Sequence, residues 1–236
     1  MVDAHCHLQD IPDFDISDLE FVICSGASLE SSHQAIEIAS KHSNVYATVG
    51  IHPESNDDFY KLRSLVNSPK VVAIGECGLD SDDPRETELL KLHLDLAKEL
   101  DLPLIIHNRH QDQKILEILG DYPKVMIHCF TSDKSFADEC IKRGWYMSFS
   151  GILTFKKSDY LREIAKLVPE NLLLTETDAP YLSPKPSKRK KVYQQILTLE
   201  GVHGFYESCH KIEKRLEEWK ENLNGSDIKA IQDRIL

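Results

Sequence analysis

Eight short apolar runs, each followed by a helical or irregular stretch, constrain this chain more than any other feature of its sequence. They fall at Val2–Cys6, Phe21–Ser25, 45–51, 71–75, 104–107, 124–129, 145–150 and 172–175. Each is too short for a typical helix and suits a strand buried on both faces. Between them the apolar spacing turns helical. Leu29–Lys41 carries Ile36 and Ile38 among polar residues, and Pro84, a good first-turn residue, opens 85–100 with Leu89, Leu92, Leu96 and Leu100 on one face. Asp112–Leu119, Lys134–Arg143 and Asp159–Leu167 complete the set, whereas 7–20 looks irregular. Strands alternating with helices call for parallel pairing, and eight such units close into a (β/α)8 TIM barrel. An open doubly wound sheet fits less well, because no glycine-rich phosphate-binding loop follows any run. A length of 236 residues suits one barrel spanning 1–236.

Polar residues cluster where the runs end. His5 and His7 close the first run, His52 the third, Glu76 the fourth, His107 the fifth, His128 the sixth and Asp178 the eighth. Barrel enzymes carry their chemistry at the C-terminal ends of the strands, so these side chains are expected to converge on one mouth. Strand alternation turns His5 and His7 to the same side, with Cys6 opposite. The same rule puts Ile74 and Glu76 together, with Cys77 facing away, and turns Cys129 away from His128, so these thiols read as packing residues. His5, His7, Glu76, His107, His128 and Asp178 form a nitrogen and oxygen donor set suited to magnesium, manganese or zinc. Six protein donors exceed the four of a closed structural zinc site. Two divalent ions sharing a carboxylate would use them better, and Glu76, on the strand between the two histidine groups, is the natural bridge. His33, His42, His93, His203 and His210 lie on helical or loop segments and read as surface residues.

The formal net charge is −11, so the chain has no general electrostatic pull toward nucleic acid or anionic membranes. A phosphate-bearing substrate would need locally placed cations. The densest basic stretch, Lys185, Lys188, Arg189, Lys190 and Lys191, follows Asp178 and could hold a nucleic-acid backbone at the mouth. No run is long enough to span a bilayer, and the first residues lack the pattern of a signal peptide. The six cysteines form no closely spaced pair and read as reduced thiols of a cytoplasmic, monomeric protein. A charged amphipathic helix at 211–222, with Ile212, Leu216, Trp219 and Leu223 on one face, is expected to pack on the outer helices.

The sequence resembles the TatD-type metal-dependent deoxyribonucleases, within the amidohydrolase-like metallohydrolases. The matching motifs are Asp3-Ala4-His5-Cys6-His7-Leu8, Gly50-Ile51-His52-Pro53, Ile74-Gly75-Glu76-Cys77-Gly78-Leu79-Asp80, Ile106-His107-Asn108-Arg109, Ile127-His128-Cys129-Phe130 and Glu176-Thr177-Asp178-Ala179-Pro180-Tyr181-Leu182. They run in order over roughly residues 1–190. The resemblance implies a TIM barrel, a one- or two-metal centre and phosphodiester hydrolysis, commonly 3′→5′ exonuclease action on DNA. It further implies that His5, His7 and Asp178 hold one ion, that His107 and His128 hold a second, and that Glu76 bridges them. His52 and Arg109 match residues lining the substrate-phosphate pocket. Two positions depart from the family pattern. His110 stands where an acidic residue usually follows the arginine, and Pro184-Lys185-Pro186-Ser187-Lys188-Arg189 runs into Lys190-Lys191-Val192-Tyr193 where an Asn-Glu-Pro-like step is usual, 192–236 being a divergent, helical C-terminal part.

Asp178, at the end of the last strand, is placed to act as general base toward a metal-activated water, with Arg109 and His52 fixing the phosphate. A barrel metal site also supports hydrolysis of a small ester, lactone, cyclic amide or phosphoester, and a non-catalytic metal-binding scaffold is a third reading.

Overall fold

In the computed structural model, residues 2–182 are described; the basic stretch after Ser183, the 211–222 helix and the divergent C-terminal part lie outside them. The eight expected strands are present: β1 (Val2–Cys6), β2 (Phe21–Ser25), β3 (Val45–Val49), β4 (Val71–Leu79), β5 (Leu104–Asn108), β6 (Val125–Ile127), β7 (Tyr146–Phe149) and β8 (Leu173–Thr175). They form one sheet in sequence order, and every neighbouring pair is parallel. The first and last strands also meet. The His7 amide donates to the Ala179 carbonyl and the Asp178 amide to the His5 carbonyl, at 2.7 and 3.0 Å. These bonds close the barrel at its C-terminal mouth.

The outer layer holds α1 (Leu29–Lys41), α2 (Pro84–Leu100), α3 (Asp112–Leu119), α4 (Lys134–Arg143) and α5 (Asp159–Leu167). Their starts follow local chemistry. Ser28 and Ser31 form a reciprocal capping box for α1, while Asp83 caps α2 with Pro84 behind it. Asp133 caps α4, and Gly144 ends that helix in the left-handed conformation. The connections after β1 and β3 carry short 3₁₀ segments at Leu8–Asp10 and Phe59–Ser64 instead of α-helices. Among the described residues, no helix is long and apolar enough to cross a membrane.

Three expectations change. The fourth strand runs on to Leu79, past the glycines that look like its end, because it continues to pair with β5 (Gly78 opposite His107 and Leu79 opposite Asn108). Gly78 permits this: its φ is +150°, and a Cβ there would collide with the His107 backbone. Strict alternation also fails in β4, where one more residue lies between Ile74 and Cys77 than on the facing stretch of β5. A similar irregularity lies between Asp3 and Cys6 in β1. Such bulges re-aim side chains, so the inward placement of Glu76 does not follow from its spacing to Ile74.

His93 is the third change. It is fully buried rather than on the surface, because the apolar stripe of α2 runs through Leu89, Leu90, His93, Leu94, Ala97 and Leu100, with Leu92 at its partly buried margin. Its Nδ1–H donates to the Leu89 carbonyl at 2.8 Å and its Nε2 accepts the Ile51 amide proton at 3.1 Å. This pins α2 to the end of β3, one residue before His52. Burial pushes the His93 imidazole down to about 4, against a smaller opposing effect of the Leu89 carbonyl. The unfolded chain therefore takes up this proton first as pH falls below the ordinary histidine value. The stabilisation is complete above pH ~6.5 and is lost progressively toward pH ~4. Denaturant unfolding at pH 7.5 and 4.5 should show the wild type losing about 2–3 kcal/mol more than His93→Gln. Equal losses in the two proteins would refute the assignment.

Candidate metal centre

All seven of the histidines and carboxylates expected at strand ends meet at the mouth, and Glu76 lies among them. Its side chain is 6% exposed. Its two oxygens face different partners. Oε2 lies 3.6 Å from both His5 Nε2 and His7 Nε2. Oε1 lies 2.9 Å from His128 Nε2, 3.2 Å from His107 Nδ1 and 3.6 Å from His52 Nε2. Asp178 Oδ1 completes the first group, at 3.4 Å from His7 Nε2 and 3.6 Å from His5 Nε2.

The spacing of these atoms fits an ion. His5 Nε2 and His7 Nε2 are 3.2 Å apart, a distance at which two lone pairs repel unless a proton or a cation lies between them. A tetrahedral ion with bonds of about 2.0–2.2 Å has donor–donor edges of roughly 3.3–3.6 Å. The His5–His7 separation and those from each of these two rings to Asp178 Oδ1 and Glu76 Oε2 run from 3.2 to 3.6 Å. On the other side, His107 Nδ1 and His128 Nε2 are 3.4 Å apart and share Glu76 Oε1, a three-donor group with a position left for another ligand.

Hydrogen bonds from the layer behind set which ring nitrogen faces the cluster. The Ser25 carbonyl, at the end of β2, can only accept, so His7 Nδ1 carries the proton (3.0 Å) and Nε2 presents its lone pair. The Ser25 hydroxyl meets His5 Nδ1 at 3.1 Å, and Gln9 also donates to the Ser25 carbonyl at 2.8 Å. Asp80 accepts from His107 Nε2 at 3.0 Å, which leaves Nδ1 free toward Glu76. His52 is turned the other way. Its Nδ1 accepts the Glu54 amide proton at 3.2 Å, so the neutral ring carries its proton on Nε2 and offers a donor rather than a lone pair. Arg109 is 65% exposed and reaches Asp80 Oδ2 at 3.3 Å.

The charges are strongly coupled. Burial works against the Glu76 carboxylate, but His128, His107 and His5 hold it well below the usual carboxylate range. Burial likewise opposes a charged His128, yet Glu76 and Glu176 more than offset it and raise the imidazole well above its ordinary value. His7 is raised against its burial by Asp178 and Glu76, while burial lowers His5 and His52. Positive charge is thus favoured beside Glu76, at the place a metal ion would occupy.

Several contributors escape a sequence reading. Glu176 is buried beneath His128: one oxygen accepts from Ser148 of β7, and the other faces His128 Nδ1 at 3.6 Å. Asp3 accepts from the Thr177 amide and hydroxyl, at 2.9 and 2.6 Å, across the closing seam. Burial raises its carboxyl to about 7. Both lie inside motifs already singled out, and Glu176 is two residues before Asp178, but their neutral-looking positions carry no ligand spacing. The cysteines next to the donors face elsewhere, as expected. Cys6 and Cys77 donate to the Ile23 and Ile105 carbonyls, Cys129 meets the Ser150 hydroxyl, and the described cysteines are all free.

Comparison with known proteins gives a consistent result. The family described as TatD related DNase matches residues 2–216. A Mycobacterium tuberculosis protein named "Uncharacterized metal-dependent hydrolase TatD" is 36% identical, with 80% of this chain and 83% of that protein covered. A "3'-5' ssDNA/RNA exonuclease TatD" of Enterobacter lignolyticus is 32% identical, with 73% and 74% covered. The crystal structure of the TatD homolog YJJV from Escherichia coli K12 superposes with a TM-score of 0.76 at 25% identity, covering 90% of this chain and 95% of that one.

If the donors are spaced for ions, chelator-treated protein should gain stability on adding manganese or zinc. At 100 times the Kd the gain is about 2.7 kcal/mol, a rise in Tm of roughly 5–10 °C for a chain of this size. Glu76→Gln should lose most of that rise. A thermal melt unchanged by either metal in the wild type would refute the fit.

Proposed function

This chain belongs to the TatD-related DNase family, and from that premise we propose that it is a two-ion phosphodiesterase that removes nucleotides from the 3′ end of DNA. The observation that carries this reading is the division of Glu76, with one oxygen toward His5, His7 and Asp178 and the other toward His107 and His128. In this reading the first group would hold one divalent ion and the second group another, with Glu76 offering one oxygen to each. Magnesium, manganese and zinc all suit the donors. When bound, the ions acidify a water and neutralise charge on the phosphoryl oxygens.

The remaining work falls to the protein's own side chains. Asp178 joins the first group with part of its side chain, 12%, still exposed, which leaves its carboxylate in reach of an attacking water. It accepts that water's proton. His52, with its proton on Nε2 pointing into the cluster, donates to a phosphoryl oxygen. Arg109, exposed and paired with Asp80 behind His107, binds the same phosphate with paired N–H groups. The polarity of action, from the 3′ end, is borrowed from the exonuclease named above and its Salmonella counterpart. All the donors come from one chain, which supports action as a monomer. The buried, free thiols support a cytoplasmic setting.

Asp178→Asn should fold and retain at least one ion but lose turnover by a factor of about 10²–10⁴, the range expected for loss of a positioned base. Single-stranded DNA, double-stranded DNA, RNA and small esters, each assayed with magnesium, manganese or zinc, test the substrate. Shortening of DNA from its 3′ end is the expected result. Turnover of esters without any nucleolysis would overturn the reading, and so would a near-wild-type rate in Asp178→Asn.

A further inference from the structure

We propose that Asp80 is a positioning residue that couples the phosphate clamp to the ion held by His107, His128 and Glu76. The inference rests on the function proposed above and deepens it. Asp80 directly follows β4 and is the point where two functional side chains meet. Its Oδ1 accepts from His107 Nε2 at 3.0 Å, and Arg109 Nη1 lies 3.3 Å from Oδ2 and 3.5 Å from Oδ1.

The residue is held from behind. Glu86, buried in the first turn of α2, accepts the backbone amides of Asp80 and Ser81 at 2.7 and 2.9 Å and the Ser81 hydroxyl at 2.6 Å. The carboxylate of Asp80 therefore leaves a fixed backbone and meets His107 in one orientation. By accepting a hydrogen bond from Nε2–H it commits His107 to the tautomer whose Nδ1 lone pair faces Glu76.

The contact with Arg109 has a different character. Charge-assisted bonds usually close to about 2.7–2.9 Å, so a separation of 3.3 Å on an exposed guanidinium marks a loose pair. A phosphate arriving at the rim can take Arg109 over. Asp80 then directs its charge at His107 alone, which strengthens Nδ1 as a donor to the ion. Oligonucleotide and second ion should consequently favour each other's binding, and linkage makes the effect reciprocal. The same geometry gives Arg109 a carboxylate partner from the end of β4, although the next residue, His110, is not acidic.

The test is a calorimetric titration of the chelated full-length protein with manganese, alone and with a non-hydrolysable phosphorothioate oligonucleotide. Wild type should show two ion-binding events, with the weaker tightened by the oligonucleotide. Asp80→Ala should weaken that event by about 10–100-fold, leave the stronger one within twofold, and abolish the tightening. Asp80→Asn, which keeps an acceptor for His107, should recover most of the ion affinity but not the tightening. Arg109→Ala, which frees Asp80 as an arriving phosphate would, should tighten the weaker ion event without oligonucleotide, weaken the oligonucleotide and leave no further tightening. If Asp80→Ala and Asp80→Asn keep both wild-type affinities and the tightening, the inference is overturned while the two-ion reading stands. Equal weakening of both ion events would also overturn it, because that is the mark of general disruption. A wild type that binds a single ion overturns the two-ion reading and the inference together.

Discussion

A carboxylate buried at the mouth of a barrel can keep its charge only if positive or hydrogen-donating groups surround it. Glu76 is in that position, and its environment dictates much of the rest. Removing a charge from water is costly unless partners replace the solvent. Here the partners are imidazoles from the ends of β1, β5 and β6 and from the loop after β3, none farther than 3.6 Å. Five imidazoles from the ends of four strands can reach one carboxylate at such distances only if those strands end at a common level around a closed circle. An open sheet of the same strands would spread these groups along an edge. The charge balance of the site and the closure of the barrel are therefore parts of one arrangement.

Closure in turn depends on the seam between β1 and β8. The backbone bonds there involve His5, His7, Asp178 and Ala179, so the residues that close the barrel either carry donor side chains or adjoin one that does. Asp3 reinforces the seam by accepting from Thr177. It sits two residues before His5, and Thr177 sits one before Asp178. Opening the seam would separate Asp178 from His5 and His7. Stability at the seam and integrity of the first donor group are consequently difficult to change independently.

Most of this arrangement was legible in the sequence. The ends of β1 and β2 and those of α1, α3, α4 and α5 fall where the apolar runs and the helical spacing put them, and every histidine and carboxylate predicted at the mouth arrives there. These features are local or periodic, so one chain displays them directly. What was hidden depends on neighbours distant in sequence. The extension of β4 needs the facing backbone of β5, which a run broken by glycines does not announce. The burial of His93 depends on which face of α2 meets β3, a choice settled by packing and not by counting leucines. Ser25, Asp80 and Glu176 look like ordinary polar residues until the fold sets them behind His5, His7, His107 and His128.

Those hidden residues decide what the visible ones can do. An imidazole has two nitrogens, and its value as a ligand depends on which one has the proton. Ser25 gives the proton of His7 to Nδ1, and Asp80 draws that of His107 to Nε2, so both rings turn a lone pair inward. The Glu54 amide does the reverse to His52 and makes it a donor beside the same carboxylate. Three histidines at similar distances from Glu76 thus acquire two different chemical roles. The difference arises entirely from the backbone and carboxylate partners on their outer side, so position at a strand end selects the candidates and the layer behind assigns their functions.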